Sequence, residues 1–215
     1  MLKLYSYWRS SAAYRVRIAL GLKGLGFEGL PVHLTRAGGE QHSASYRALN
    51  PQALVPSLID GDTVLTQSLA IIEYLEELHP EPALLPKGAA ARARVRALAM
   101  AIACDIHPLN NLRVLQYLAE ALGADERARG QWYRHWLAVG LAPLETSLAA
   151  APETGRYCHG DQPGLADVCL VPQLYNARRY ELDLTCYPTL TRIETACLEL
   201  PAFAAAHPER QVDAA

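Results

Sequence analysis

Residues 2–23, LKLYSYWRSSAAYRVRIALGLK, decide how the chain is to be read. Leu2, Leu4 and Ser6 alternate with Lys3, Tyr5 and Tyr7, which is the period of a strand. From Tyr14 onward the apolar residues change to helical spacing, with Val16, Ile18, Ala19, Leu20 and Leu22. Trp8-Arg9-Ser10-Ser11 fills the junction, so a guanidinium and two hydroxyls stand at the mouth of a helix. The free N–H groups and partial positive charge of a helix start favour an anion there. Either serine would equally serve as a plain N-cap, and on this stretch alone the cap is the commoner outcome.

Outward from this stretch, Gly24-Leu25-Gly26-Phe27-Glu28-Gly29 spells GxGxxG. A dinucleotide fingerprint follows a strand and opens a helix, whereas this one closes a helix and leads into a strand. Its glycines are read as a C-cap and a tight turn. Leu30, Val32 and Leu34 form a second strand, followed by a polar loop (36–45) and a short helical piece at Tyr46 to Leu49. A third strand runs from Leu54 to Ile59 and contains Pro56; Asp60-Gly61-Asp62 turns it into a fourth at Val64-Leu65. Gln67-Ser68 then opens a helix to about Leu78. The order βαβ–ββα predicts a small α/β layer over residues 1–80 with a right-handed parallel crossover. Three prolines between His79 and Pro86 place a linker at 81–88.

Beyond the linker strand signals vanish, and residues 89–215 read as all-helical. Ala89 to Ala103 is helical, and Asp105 to Leu122 continues around a bend or break at Pro108. Trp132, Trp136, Leu137, Leu141, Leu144 and Leu148 trace a further stripe, in which Pro143 should produce a kink or a break. Gly164 to about Tyr180 and Leu190 to Leu200 complete the set.

Composition narrows the function classes. The chain has 215 residues, is 51% hydrophobic and 20% charged, and carries a net charge of −2, which speaks against nucleic acid or an acidic membrane surface as partner. No apolar run approaches the roughly 20 residues of a membrane span. No signal-peptide layout precedes Leu2, so a cytoplasmic location is expected. Five cysteines without a Cys-x-x-Cys pair and seven histidines without His-x-x-x-His spacing argue against disulfides and a metal site, and for buried thiols in a reducing compartment.

The organisation and motifs resemble the glutathione transferases, a thioredoxin-like domain followed by a helical domain. SYWRSSAAYRVRIAL is similar to the signature of their zeta class, Ser-Ser-Cys-x-Trp-Arg-Val-Arg-Ile-Ala-Leu, as are ALNPQALVPSL, QSLAIIEYLEE, ALLP, DIHPLNNLRVL and ADVCLVPQLYNARR. Zeta members are known as maleylacetoacetate and maleylpyruvate isomerases of aromatic catabolism. The signature departs at Ala12, where the class has cysteine, and at Tyr14, where it has tryptophan. Without a thiol at Ala12, glutaredoxin-like activity is not expected.

The resemblance implies glutathione as cofactor and assigns roles residue by residue. Ser10 becomes the catalytic serine, with Ser11 its helper or the cap, which reverses the preference for capping. Val55-Pro56 matches the class's cis-proline, which would turn the Val55 main chain toward the cysteinyl part of glutathione. Gln67-Ser68 would hold the γ-glutamyl carboxylate, and Gln41, His107 and Asn111 would add contacts, Asn111 lying one helical turn beyond His107. Arg9 and Arg179 fall on substrate-side positions, where guanidinium forks suit carboxylates; Arg178 should face water. Asp167 resembles a helix capping box and is read as structural. A homodimer is also implied.

The reaction implied is cis–trans isomerisation of a diketo acid by reversible addition of the glutathione thiolate. Leu112, apolar after Asn110-Asn111 as in maleylacetoacetate-type sequences, favours that substrate over maleylpyruvate. A conjugating glutathione transferase and a non-catalytic binding protein of the same fold are the alternatives.

Overall fold

The computed structural model describes residues 1–214. It divides into two compact units, Met1–Leu84 with Glu199–Ala215, and Leu85–Leu198. The first unit opens β1 (Leu2–Ser6), α1 (Ser11–Leu22), β2 (Phe27–Pro31), α2 (Ala44–Leu49), β3 (Ser57–Asp60), β4 (Thr63–Thr66) and α3 (Ser68–Leu78). The strand order is β2-β1-β3-β4; β2 runs parallel to β1, and β3 and β4 run antiparallel to their neighbours. This is the expected βαβ–ββα layer.

Boundaries differ from the sequence reading at α1, β2 and β3, and α2 begins at Ala44, not Tyr46. α1 begins at Ser11, not Tyr14. β2 ends at Pro31 because its register, Leu2 opposite Phe27 to Ser6 opposite Pro31, exhausts the length of β1. Val32 and Leu34 instead turn into a cluster with Tyr7, Trp8, Tyr46 and Val55. β3 starts at Ser57, since Pro56 has no N–H for a ladder and pairing with β1 stops at Tyr5 opposite Ser57. The GxGxxG stretch does close a helix: Gly24 sits at φ +65, and Leu25 N donates to Leu20 O at 2.9 Å.

Both sheet faces are covered. Leu4 and Leu58, opposite one another in register, are fully buried, as are Ile71, Ile72 and Leu75 of α3. Tyr5 points the other way and meets the Tyr46 ring of α2 at 5.7 Å between centroids. Lys23, just past α1, has a fully buried ammonium that donates to Glu76 at 2.7 Å and to the carbonyls of His79 and Pro82. Glu76 accepts in turn from the Leu84 N–H. One buried ion pair therefore ties α1, α3 and the chain leaving α3.

The second unit holds α4 (Ala89–Met100), α5 (Leu112–Glu120), α6 (Glu126–Ala150), α7 (Leu165–Arg179) and α8 (Pro188–Leu198). α4 runs on into a wide π-type turn (Ala101–Ile106) and a 3-10 turn (Pro108–Asn110), so the expected bend at Pro108 is a break. α6 runs unbroken through Pro143. Its unmatched carbonyl belongs to Val139, itself half exposed, where water can satisfy it. Asp167 is buried and accepts from Gly164 N and Cys158 N, both at 2.8 Å, which makes it the structural anchor expected. Burial pushes its carboxyl up, opposed by those two amides. Cys158, Cys169 and Cys197 are buried, whereas Cys104 and Cys186 are exposed, contrary to the expectation for all five.

A final helix, α9 (Pro201–Ala206), was not legible as a separate element. It packs against α1 and belongs to the first unit, not to the helical domain expected over 89–215. The approach is close: a Cβ on Gly21 would stand 3.2 Å from the Ala202 Cβ. Glu76→Ala should leave the Lys23 ammonium buried without its counter-charge and the Leu84 N–H without its acceptor. A loss of about 3–5 kcal/mol in urea unfolding is expected; less than about 1 kcal/mol would show the pair to be solvated.

Candidate active site

Ser10 closes the β1–α1 loop in extended conformation, and its Oγ accepts from Ala13 N at 3.2 Å. It is the N-cap of α1. Capping uses a lone pair of the hydroxyl oxygen, so the O–H stays available to donate. The capping and the catalytic readings of Ser10 are thus compatible. Ser11 follows as the first helical residue and is buried. Arg9 is exposed and lays its guanidinium over the Trp8 ring, 4.1 Å from the centroid.

The Val55–Pro56 bond is cis. Both residues are buried, and the Val55 main chain lies beyond the end of the β1–β3 ladder. Gln67 is exposed and has φ +67 and ψ 115, outside the ordinary range of a non-glycine residue. Holding such a backbone costs about 1–3 kcal/mol, and such strain clusters at functional sites. Its amide donates to Gln52 Oε1 at 2.9 Å. Ser68 begins α3 and is buried; its Oγ accepts from Arg15 Nη1 at 3.3 Å. Gln41 is buried, packed against the bare Gly39 at φ +102, with Nε2 donating to Leu34 O at 3.3 Å. Its buried Oε1 has no hydrogen-bond partner among the described residues.

The second unit carries the other candidates. His107 ends the π-type turn, and its N–H reaches Ile102 O at 2.9 Å. Asn111 is not one helical turn on from it: the chain breaks at Pro108, and Asn111 is the N-cap of α5, accepting from Arg113 N at 3.2 Å. Arg179 is exposed at the end of α7 and lies 4.9 Å from the Tyr180 ring centroid. Tyr180 stacks on Tyr133 at 3.5 Å. Burial pushes the Tyr133 hydroxyl well up, and Arg179 pulls against that by charge and hydrogen bond. Arg178 does not simply face water; its guanidinium pairs with the buried Glu194. Glu194 needs that cation because a lone buried carboxylate would be costly.

Two buried arginines escaped the sequence reading. Arg15 bonds Ser68. Arg17 donates from Nε to Ala206 O at 3.1 Å, from Nη1 to Ser6 Oγ at 2.9 Å and Tyr7 O at 3.4 Å, and from Nη2 to Trp8 O at 3.0 Å. Burial pushes its guanidinium down to about 10, against the nearby charges of Tyr14 and Asp213. The available signal was two cations within the otherwise apolar run YRVRIAL.

A thioredoxin-like α/β layer with a serine at the first helix start and a separate helical unit defines the glutathione transferase fold. Residues 4–83 match the family model for the glutathione S-transferase N-terminal domain. A probable maleylacetoacetate isomerase of Vibrio cholerae serotype O1 is 56% identical over 98% of this chain and 97% of its own. A maleyl pyruvate isomerase of known structure, described as a bacterial glutathione S-transferase of the zeta class, superposes with TM-score 0.97 at 52% identity, covering 99% of this chain and 100% of its own. The maleylacetoacetate isomerase of Methylobacterium extorquens AM1, solved with malonate and glutathione bound, gives TM-score 0.95 at 44% identity over 99% of both chains. The chain belongs to the zeta-class glutathione transferases, the family of the maleylacetoacetate and maleylpyruvate isomerases.

Proposed function

We propose that this chain is a glutathione-dependent cis–trans isomerase of maleylacetoacetate-type diketo acids. The observation that carries the reading is the Ser10 hydroxyl, seated by its cap at the positive end of α1 with its O–H left to donate, next to an exposed Arg9.

The residues present fit glutathione. The Val55 main chain lies past the ladder, as an extended peptide would need. The first amides of α3, with Ser68, suit a carboxylate. The orphaned Gln41 Oε1 calls for a donor from outside the protein. The same first unit, with Ser11 and Gln67 beside these groups, is assigned as the glutathione-binding domain; His107 and Asn111 remain assigned as contacts by resemblance.

When bound, glutathione supplies the thiolate whose reversible addition to the alkene frees the former double bond to rotate, and it leaves unchanged. The chain's part is electrostatic. A thiol of ordinary pKa near 8.5 is mostly protonated at neutral pH. The Ser10 O–H and the N-terminus of α1 favour its anion. Arg9 pairs with a substrate carboxylate and stabilises charge developing on the keto oxygen. Arg179 is assigned to carboxylate recognition as well.

Ser10→Ala should lose both cap and donor, whereas Ser10→Asp keeps the cap but replaces the donor by a carboxylate, which also repels a thiolate. Both should reduce kcat by about 100-fold or more, and only Ser10→Ala should cost about 1 kcal/mol of stability. Full activity of Ser10→Asp would overturn the assignment.

The protein is assigned to the cytoplasm on its cysteine usage, and to a homodimer on family resemblance; light scattering at micromolar concentration should give twice the chain mass, and a monomer would refute the dimer.

Leu112, apolar and half-buried at the first position of α5, is assigned as selecting maleylacetoacetate over maleylpyruvate. Maleylacetone, a stand-in for maleylacetoacetate, should show the higher kcat/KM, and Leu112→Arg should narrow the gap. A tenfold preference of the unmodified enzyme for maleylpyruvate, about 1.4 kcal/mol, would reverse the assignment while leaving the isomerase class intact.

A further inference from the structure

The loop that carries Ser10 is held from a part of the chain some 200 residues away, as measured by the separation of 205 between Trp8 and Asp213. β1 ends at Ser6, so the main-chain groups of Tyr7, Trp8 and Arg9 have no strand partner. The Tyr7 and Trp8 carbonyls and the Trp8 amide are taken up by two opposite charges. The Arg17 guanidinium accepts the pull of the Tyr7 and Trp8 carbonyls by donating to both. From the other direction, Trp8 N donates to Asp213 Oδ2 at 2.9 Å. The next links run straight to the serine: Ser10 N donates to Tyr7 O at 2.9 Å, and Tyr14 N to Ser10 O at 2.8 Å.

The segment around Asp213 is itself held in place. Gln211 Nε2 donates to Ala205 O at 3.0 Å and His207 O at 2.9 Å, and Ala214 N donates to Gln211 O at 3.0 Å. Ala214 packs against the cluster of Tyr7, Trp8, Val32, Tyr46 and Val55. The segment around Asp213 thus bonds the serine loop and packs against the apolar cluster beside it. A segment serving only to cover α1 could stop at Ala206, where Arg17 already finds its carbonyl.

We propose that Asp213 is a positioning residue for the reaction: its carboxylate fixes the main chain at Trp8 and thereby the direction of the Ser10 hydroxyl toward the glutathione sulfur. This rests on the assignment of Ser10 above. A charged acceptor suits the task because its bond to an N–H is shorter and stronger than that of a neutral one.

The test uses the full chain with Asp213→Ala, Asp213→Asn, Ser10→Ala and the double variant Ser10→Ala/Asp213→Ala, and Glu209→Ala as an exposed control. The readouts are kcat, glutathione KM, the unfolding midpoint, and the ultraviolet thiolate absorbance of bound glutathione at neutral pH. Asp213→Ala should lower kcat and the thiolate signal about tenfold with glutathione KM and the midpoint little changed. Asp213→Asn, which keeps an acceptor oxygen, should recover part of the loss and covers the case in which the alanine variant does not fold. The double variant should be no worse than Ser10→Ala alone, because the two act through one group. A normal thiolate signal in Asp213→Ala beside a reduced one in Ser10→Ala overturns the Asp213 proposal and leaves Ser10 standing. A normal signal in Ser10→Ala overturns the Ser10 assignment itself. Losses in Asp213→Ala and Ser10→Ala that add in the double variant, or that merely follow a fall in unfolding midpoint, show Asp213 to be structural.

Discussion

The buried guanidinium of Arg17 is the interaction on which the first unit depends. Desolvating it is expensive, and the cost is offset because its donors meet the Ser6 hydroxyl and three main-chain carbonyls. Two of those carbonyls belong to the loop before Ser10 and one to the end of α9. A single cation in the middle of α1 therefore fixes the entry to its own helix and anchors the returning C-terminal segment. That segment in turn explains why α1 is buried on nearly all sides, an unusual state for a helix that bears two arginines.

The beginnings of α1 and α3 carry the serines assigned to the chemistry. α1 and α3 both start at serines whose oxygens accept one bond from the protein, Ser10 from Ala13 N and Ser68 from Arg15. A hydroxyl can accept and donate at once, so Ser10 can cap α1, and Ser68 can hold Arg15, while each still presents a proton outward. The distorted backbone at Gln67 and the orphaned oxygen of Gln41 are costs that packing alone does not explain. Both are consistent with a site shaped for a ligand of mixed peptide and carboxylate character.

The second unit shows the same coupling of charge to scaffold. Arg178 compensates the buried Glu194, which leaves Arg179, its neighbour, as the cation presented at the end of α7. Tyr180, stacked on Tyr133, gives Arg179 an aromatic face, and Tyr133 gives it a hydroxyl partner. Adjacent arginines have opposite duties because a helix turns about 100° between them.

Much of this was legible from residue order. Alternation in LKLYS, the glycines after α1, the hairpin at Asp60-Gly61-Asp62 and the proline cluster after α3 are local signals, and the βαβ–ββα layer follows from them. The serine at the first helix start, and the departure at Ala12, are likewise matters of sequence. What tertiary structure decided are the features with distant partners. The limits of β2 were set by the length of β1, and those of β3 by where its pairing with β1 stops. The sequence marked Pro108 as a bend or a break, and only the folded chain showed the break that separates Asn111 from His107. The roles of Arg17 and Asp213 depended on carbonyls and amides brought together across the chain. Periodicity reports which face of an element is apolar; it says nothing about which buried polar groups will find each other. Those pairings exist only once the chain is closed, and here they are what place the serine.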